Sequence, residues 1–286
     1  MDKIYVKARA KVNLNIEVVN KREDGYHNIK SVFQKINLYD EITVIKTNGD
    51  FDLQTNIAEL NNKENIIYKA YEKLKAKYNI CGIKVILNKN IPMQAGLGGG
   101  STDCSSFILA MNKLFSLNMS QKEIENIGRS LGADVVPCFY NRAIIAEGIG
   151  DIITKINTNF KYYLVLVKPN LSYNTKEIYR RIDENNKFNR LDNTNKIVDG
   201  LANNNLELIS KNLHNSFEEV LEERDLIENI KSELIENGAM GSSLTGTGSC
   251  VYGIFKNKKE AVDTYNYLKN KYQTYICTSY NSKREG

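Results

Sequence analysis

The stretch Ile91-Pro92-Met93-Gln94-Ala95-Gly96-Leu97-Gly98-Gly99-Gly100-Ser101-Thr102-Asp103 decides the reading of this chain. Four of the five residues from 96 to 100 are glycine. Backbone N–H groups there can close on a ligand, and positive φ angles cost little. Ser101 and Thr102 are capping residue types, and Phe107, Ile108, Met111, Leu114 and Phe115 follow at helical spacing. The expectation is a glycine loop that runs into a helix capped at Ser101 and Thr102. A helix start adds unpaired N–H donors and the positive end of a dipole, so the segment reads as a pocket for nucleotide phosphate. A P-loop is excluded because no Lys follows the glycines, and a dinucleotide loop because its sixth position is Ser101 and Pro92 interrupts the approach from the strand.

Around this segment lie 286 residues, enough for one large domain or two ordinary ones, with 42% hydrophobic residues to build a core. A net charge of +5 suits an acidic ligand and is too weak, and too evenly spread, to indicate nucleic acid. The five cysteines are odd in number and lack Cys-x-x-Cys spacing, and the two histidines, His27 and His214, form no cluster. Reduced thiols, a cytoplasmic location, no structural metal and no membrane partner are therefore expected. No apolar run approaches the roughly 18 to 20 residues of a membrane span.

Strands are expected at 3–9, 12–19, 29–38, 41–46, 83–87, 142–147, 151–155, 163–168, 240–245, 250–255 and 273–280, and helices at 65–78, 120–131, 175–182, 196–202, 205–211, 224–236 and 258–271. Residues 183–195 read as an Asn-rich mobile loop. Strands and helices mix without strict βαβ alternation, so the class is α+β. A boundary near 157 divides the chain into 1–157 and 158–286.

Four further segments carry polar residues that packing does not demand. Lys11, Asn13 and Asn15 share one face of a strand and form a row of donors; a solvated strand face is the plainer alternative. Asp24-Gly25-Tyr26-His27 is a turn that leads into two rings, of which Tyr26 is able to stack on a base. Asp134, after Leu131-Gly132-Ala133, is either a cap of the next helix or a general base. Thr245-Gly246-Thr247-Gly248-Ser249 is a small-residue turn that lets backbone N–H groups approach phosphate, or simply a tight turn.

In this order, these segments resemble the GHMP kinase superfamily, which includes galactokinases, homoserine kinases and mevalonate kinases. Pro92 to Ser101 is similar to its glycine loop, and Thr245 to Ser249 to its Gly-Thr-Gly turn. The likeness is narrower through Ala10-Lys11-Val12-Asn13-Leu14, Arg22-Glu23-Asp24-Gly25-Tyr26-His27 and Leu131-Gly132-Ala133-Asp134-Val135. Those motifs resemble the members that phosphorylate a cytidine-diphosphate-linked sugar alcohol in non-mevalonate isoprenoid biosynthesis. Thr102 and Cys104 stand where Ser and Ala are common, and neither change removes a group the chemistry needs.

The resemblance implies a two-domain GHMP kinase fold, with an N-terminal domain like ribosomal protein S5 domain 2 and a ferredoxin-like C-terminal domain. It implies Asp134 and Lys11 as the catalytic pair. ATP and Mg²⁺ follow as cofactors, with ATP met by Pro92, Met93, Gln94, Ala95, Gly96, Leu97, Gly98, Gly99, Gly100, Ser101 and Thr102, and adenine by Asn65. It implies a cytosine ring between Tyr26 and Tyr179, read by His27. Asn13 would hold the sugar-alcohol hydroxyls, Thr175 the diphosphate side, and Gly246, Thr247 and Gly248 would complete the substrate site. A small-molecule partner and a monomer or weak homodimer are expected. The alternatives are another GHMP-type kinase, such as a homoserine kinase, or a non-catalytic nucleotide- or RNA-binding module.

Overall fold

The computed structural model describes residues 1–188 and 191–282. In chain order the elements are β1 (Lys3–Lys21), β2 (His27–Lys46), β3 (Asp52–Thr55), α1 (Ile66–Lys77), β4 (Ile83–Asn88), α2 (Gly99–Leu114), α3 (Gln121–Arg129), α4 (Val135–Cys138), β5 (Ile144–Gly148), β6 (Ile152–Lys155) and β7 (Tyr163–Lys168). They continue with α5 (Thr175–Glu184), α6 (Asn193–Ala202), α7 (Leu206–Ser210), β8 (His214–Asn215), α8 (Arg224–Glu236), β9 (Gly241–Leu244), β10 (Val251–Phe255), α9 (Lys258–Leu268) and β11 (Gln273–Thr278). Two compact units emerge. The first holds residues 1–10, 38–92 and 98–140; the second holds 11–37, 93–97 and 141–286. The units interleave along the chain because β1 and β2 each run through both, whereas a cut at 157 follows the sequence.

In the first unit, residues 41–46 of β2 pair antiparallel with β4, and β3 pairs parallel with β4. Helix α1 lays Ile67, Ala70, Tyr71 and Leu74 on this core, the face that the 3.6-residue spacing predicts. Phe107, Ile108, Met111 and Leu114 of α2 and Val135 of α4 complete it. Ser120 and Glu123 form the expected capping box at α3. Gly128 packs tightly against Phe139: a Cβ there would lie 2.5 Å from its ring.

In the second unit, residues 29–33 of β2 pair antiparallel with β5, β5 pairs with β6, and β1 pairs parallel with β8 at Asn15 and Ile16. A separate four-stranded sheet has the order β11-β7-β10-β9, antiparallel throughout. With α8 between β7 and β9, and α9 between β10 and β11, this is the split βαβ arrangement of a ferredoxin-like domain. Gly238 ends α8 in a left-handed conformation, φ +98.

The expected pairs of strands at 3–9 and 12–19, and at 29–38 and 41–46, are each one continuous strand. Tyr39-Asp40 does not break β2, because Asp40 is buried and satisfied by backbone N–H groups. β3, with four residues, and β8, with two, are too short for a periodicity reading. The polar stretch 183–195 is partly helical, since α5 runs to Glu184 and α6 starts at Asn193; residues 189 and 190 lie outside the described chain. Among the described residues no helix is long and apolar enough to cross a membrane.

Candidate active site

β1 presents Lys11, Asn13 and Asn15 on one face, as alternation predicts, but the row is buried rather than solvated, at 4%, 1% and 0% exposure. Val12, Leu14, Ile16 and Val18 on the opposite face are buried too. A buried polar row persists only if its groups are satisfied. The Lys11 Nζ donates to Asn13 Oδ1 at 2.7 Å and sits 5.0 Å from the centre of the Phe33 ring. Asn13 Nδ2 donates to Ser31 Oγ at 2.8 Å.

The Asn13 amide also receives the Gly-Thr-Gly turn. The Gly246 N–H donates to Asn13 Oδ1 at 3.0 Å, the Asn13 N–H to Thr245 Oγ1 at 3.1 Å, and the Tyr252 hydroxyl to the Asn13 carbonyl at 2.7 Å. The descending limb of the glycine loop is bound into the same place. The Lys11 N–H donates to the Leu97 carbonyl at 3.1 Å, Thr245 Oγ1 to the Gly96 carbonyl at 3.2 Å, and the Cys250 N–H to the Ala95 carbonyl at 3.3 Å. Gly96 has φ +70, and a Cβ there would lie 1.9 Å from the Thr245 carbonyl oxygen, so no other residue fits. A Cβ on Gly246 would lie 3.0 Å from the Gly96 oxygen and 3.4 Å from Lys11 Nζ. One spot of the second unit thus gathers Lys11, Asn13, Gly96 and Gly246. Thr247 follows on the same turn and meets Thr175, the first residue of α5, hydroxyl to hydroxyl at 3.2 Å. Gly248 is buried against the Tyr173 ring.

A second cluster forms around His27. The turn before it is tied by Arg22–Asp24 and by the Tyr26 N–H to Asp24 Oδ1 at 3.1 Å, with Gly25 at φ +82. Tyr26 is 59% exposed, its ring available to a ligand. Tyr179 stacks on the His27 ring at 4.7 Å and meets Phe217 edge-on at 5.0 Å. His27 Nε2 lies 2.7 Å from Asp183 Oδ1. Asp183, Phe188 and Ser31 belong to these clusters, and no motif pointed to them.

In the first unit, α2 starts earlier than expected. Its N-cap is Gly98, left-handed at φ 69, with no side-chain cap, and the Thr102 N–H closes the first turn on the Gly98 carbonyl at 2.8 Å. Ser101 and Thr102 are therefore first-turn residues rather than caps, because a glycine begins a helix from a left-handed geometry that Ser resists. The amides of Gly99, Gly100 and Ser101 precede the first helical bond. Space beside Gly100 is open, since an added Cβ would meet nothing within 4 Å. Thr102 is buried, and its hydroxyl donates to the Arg9 carbonyl at 2.7 Å. Of the other loop residues, Pro92 is half-buried, Met93 and Gln94 are exposed, and Gln94 has φ 52.

Under this loop lies a charged cluster that sequence reasoning missed. The buried Lys89 ammonium pairs with Asp40 and, at 2.7 Å, with Asp103. Asp40 Oδ1 accepts the Asn90 and Ile91 N–H groups at 2.5 and 2.8 Å, just before Pro92. Burial pushes the Asp103 carboxyl well above the usual carboxylate range, and Asp40 adds to this against the pull of Lys89. Nothing in an isolated Lys89 or Asp40 signals this pairing across 49 residues.

Asp134 is exposed at the N-cap position of α4, and its side chain makes no capping hydrogen bond, which removes the capping alternative. Asn65 is committed locally: Oδ1 caps α1 through the Ile67 N–H at 3.0 Å, and Nδ2 donates to the Leu60 carbonyl at 3.0 Å. Among the described residues no group of three His, Cys, Asp or Glu side chains is placed to hold a metal ion.

The chain matches the family model of the GHMP kinases N terminal domain over residues 65–142 and that of the GHMP kinases C terminal over 197–274. It is 39% identical over 275 residues to the 4-diphosphocytidyl-2-C-methyl-D-erythritol kinase of Clostridium tetani, covering 95% of this chain and 98% of that one. It is 37% identical to the enzyme of that name from Alkaliphilus oremlandii, covering 100% and 99%. A crystal structure of 4-(cytidine 5'-diphospho)-2C-methyl-D-erythritol kinase superposes with a TM-score of 0.85 at 26% identity, over 98% of this chain and all of that one. A homoserine kinase from Cytophaga hutchinsonii shares the fold, with a TM-score of 0.74 at 18% identity over 98% and 95%. The shared motifs, the two-domain α+β fold and near full-length identity lead to one assignment: the chain belongs to the 4-diphosphocytidyl-2-C-methyl-D-erythritol kinase family of the GHMP kinases.

Proposed function

We propose that the chain transfers the γ-phosphoryl group of ATP to the 2-hydroxyl of 4-diphosphocytidyl-2-C-methyl-D-erythritol. The observation that carries this reading is the convergence of Lys11, Asn13, Gly96 and Gly246 in a unit that also holds the His27–Tyr179 ring pair. A homoserine kinase has no use for a ring pair beside an exposed tyrosine. A nucleic-acid module would carry a clustered basic stripe, whereas the charge here is weak and evenly spread.

Asp134 accepts the proton of the 2-hydroxyl as that oxygen bonds to the γ-phosphorus and the bond to the β-phosphate oxygen breaks. General-base help of this kind supplies roughly 10²- to 10⁴-fold. The Lys11 ammonium offsets charge at the reacting oxygens. Its hydrogen bond to Asn13 fixes where the charge sits. The N–H groups of Gly99, Gly100 and Ser101, with the open space at Gly100, suit a polyphosphate. Mg²⁺ fits as an ion carried by those phosphates and water, with the Ser101 hydroxyl as a side-chain donor, and would neutralise phosphate charge when bound. Asn13 meets the sugar alcohol, Thr175, Thr247 and Gly248 the diphosphate side, and Tyr26 and Tyr179 the cytosine. The adenine contact of Asn65 rests on the resemblance, and with both side-chain polar atoms bonded locally it would be a backbone or packing contact. Functionally the chain divides into 1–157, with Lys11, the glycine loop and Asp134, and 158–286, with Thr175, Tyr179 and the Gly-Thr-Gly turn. A cytoplasmic monomer or weak homodimer goes with this reading.

The test is ADP release by purified protein with ATP, Mg²⁺ and the cytidylyl substrate, against homoserine and mevalonate. Turnover no higher than with those controls would reject the substrate. Tyr26→Ala should raise KM for the cytidylyl substrate, and an unchanged KM would favour another GHMP-type kinase.

A further inference from the structure

The His27 ring is held from several sides, by Tyr179 and by groups that no motif predicts. Tyr179 stacks on it at 4.7 Å with 28° between planes, and Phe188 lies 6.5 Å away at 26°. The third contact is polar: His27 Nε2 is 2.7 Å from Asp183 Oδ1. Tyr179 and Asp183 are four residues apart on α5, so one helix face supplies both the stacking ring and the carboxylate. The other Asp183 oxygen takes the Lys21 ammonium at 2.6 Å, at the end of β1. His27 is 9% exposed, and rotating its ring would break the Asp183 bond inside a packed pocket.

We infer that Asp183 is a positioning residue for base selection: it holds His27 in the tautomer that favours cytosine over uracil. An ionised carboxylate only accepts hydrogen bonds, so Nε2 must carry the proton. Burial pushes the Asp183 carboxyl up, but the hydrogen bonds from His27 and Lys21 outweigh it and keep the group below its ordinary value. A neutral His27 with its proton on Nε2 presents Nδ1 as a bare acceptor. The exocyclic amino group of cytosine is a donor and matches it. Uracil carries a carbonyl at that position, and two acceptors then face each other. A pocket built to complete one hydrogen bond rejects the ligand that leaves its polar groups unpaired. The inference rests on the cytidine reading of the previous subsection and adds to it the group that sets the choice of base.

Calorimetric titration of the full chain with CDP and with UDP tests this without requiring turnover. The unaltered chain should bind CDP more tightly than UDP. In Asp183→Asn the amide both donates and accepts, so the tautomer is no longer imposed, and the CDP-to-UDP preference should fall about tenfold. Asp183→Ala should lower the preference similarly, with an unfolding midpoint near that of the unaltered chain. Lys21→Met removes an ion pair of Asp183 but leaves the Nε2 acceptor, so the preference should persist. A purely structural ion pair would leave the ratio unchanged in all three variants. If CDP binds and the ratio survives in Asp183→Asn and Asp183→Ala, the role of Asp183 is overturned while the cytidine reading stands. If the unaltered chain does not bind CDP, the cytidine reading falls and the role of Asp183 falls with it.

Discussion

Two aspartates in the first unit stand at the starts of helices that pack in one core, and they meet opposite fates. Asp103, just past the first turn of α2, is 3% exposed and shares the Lys89 ammonium with Asp40. Asp134, at the start of α4, is exposed and caps nothing. The first carboxyl is consumed by the structure that holds the glycine loop. The second is a strongly polar group that the fold leaves uncommitted, the condition expected of a group that acts on substrate. Residue type and motif position do not separate the two; burial and partners do.

The sharpest way to break this contrast is to make the same change at both sites. Asp134→Asn should cut turnover by roughly 10²- to 10⁴-fold while leaving ATP-analogue binding intact. Near-normal kcat would remove Asp134 as the base.

The next effect is on stability. Lys89→Met strips the shared cation from two buried carboxyls and should cost about 3–5 kcal/mol in urea unfolding. A loss below 1 kcal/mol would mean that the cluster is not the strut described.

Asp103→Asn should spare turnover and act on the pH dependence of folding instead. The folded carboxyl titrates above its unfolded value because of burial. Its stabilising contribution is therefore complete at pH below the ordinary carboxylate range and is lost as pH rises through the raised value. This single group can impose a slope of up to about 1.4 kcal/mol per pH unit, which Asn, mimicking the neutral acid, should flatten. An unchanged slope in urea melts across that range would show that Asp103 is ionised in the folded state.

The smallest effect compares caps. Asn65→Ala removes a side chain that caps α1 and should cost about 1 kcal/mol. Asp134→Ala removes one that caps nothing and should stay within about 0.5 kcal/mol. Equal losses in thermal or urea unfolding would contradict the difference between the two helix starts.

Much of the local geometry was legible from local chemistry. Gly96 to Gly100 predicted a bare backbone entering a helix, and Asp24-Gly25 a turn that delivers two rings. The reading failed where a residue's environment comes from distant chain. Lys11, Asn13 and Asn15 read equally well as a wet strand face until Ser31, Thr245 and Gly246 arrive from far along the sequence to bury and satisfy them. The cap of α2 was misplaced because capping preference favours Ser101, while the tight turn at Gly98 starts the helix sooner.

By itself, the sequence determined the α+β class, the family likeness and the glycine entry into α2, because periodicity and motif spacing act within a few turns of chain. Tertiary structure alone decided which polar groups are struts and which are exposed: Asp40, Lys89 and Asp103 closing on one another, Asp183 closing on His27, and Asp134 left facing water. The physical reason is that desolvation and hydrogen bonding depend on what packs against a group, and those neighbours come from elsewhere in the chain.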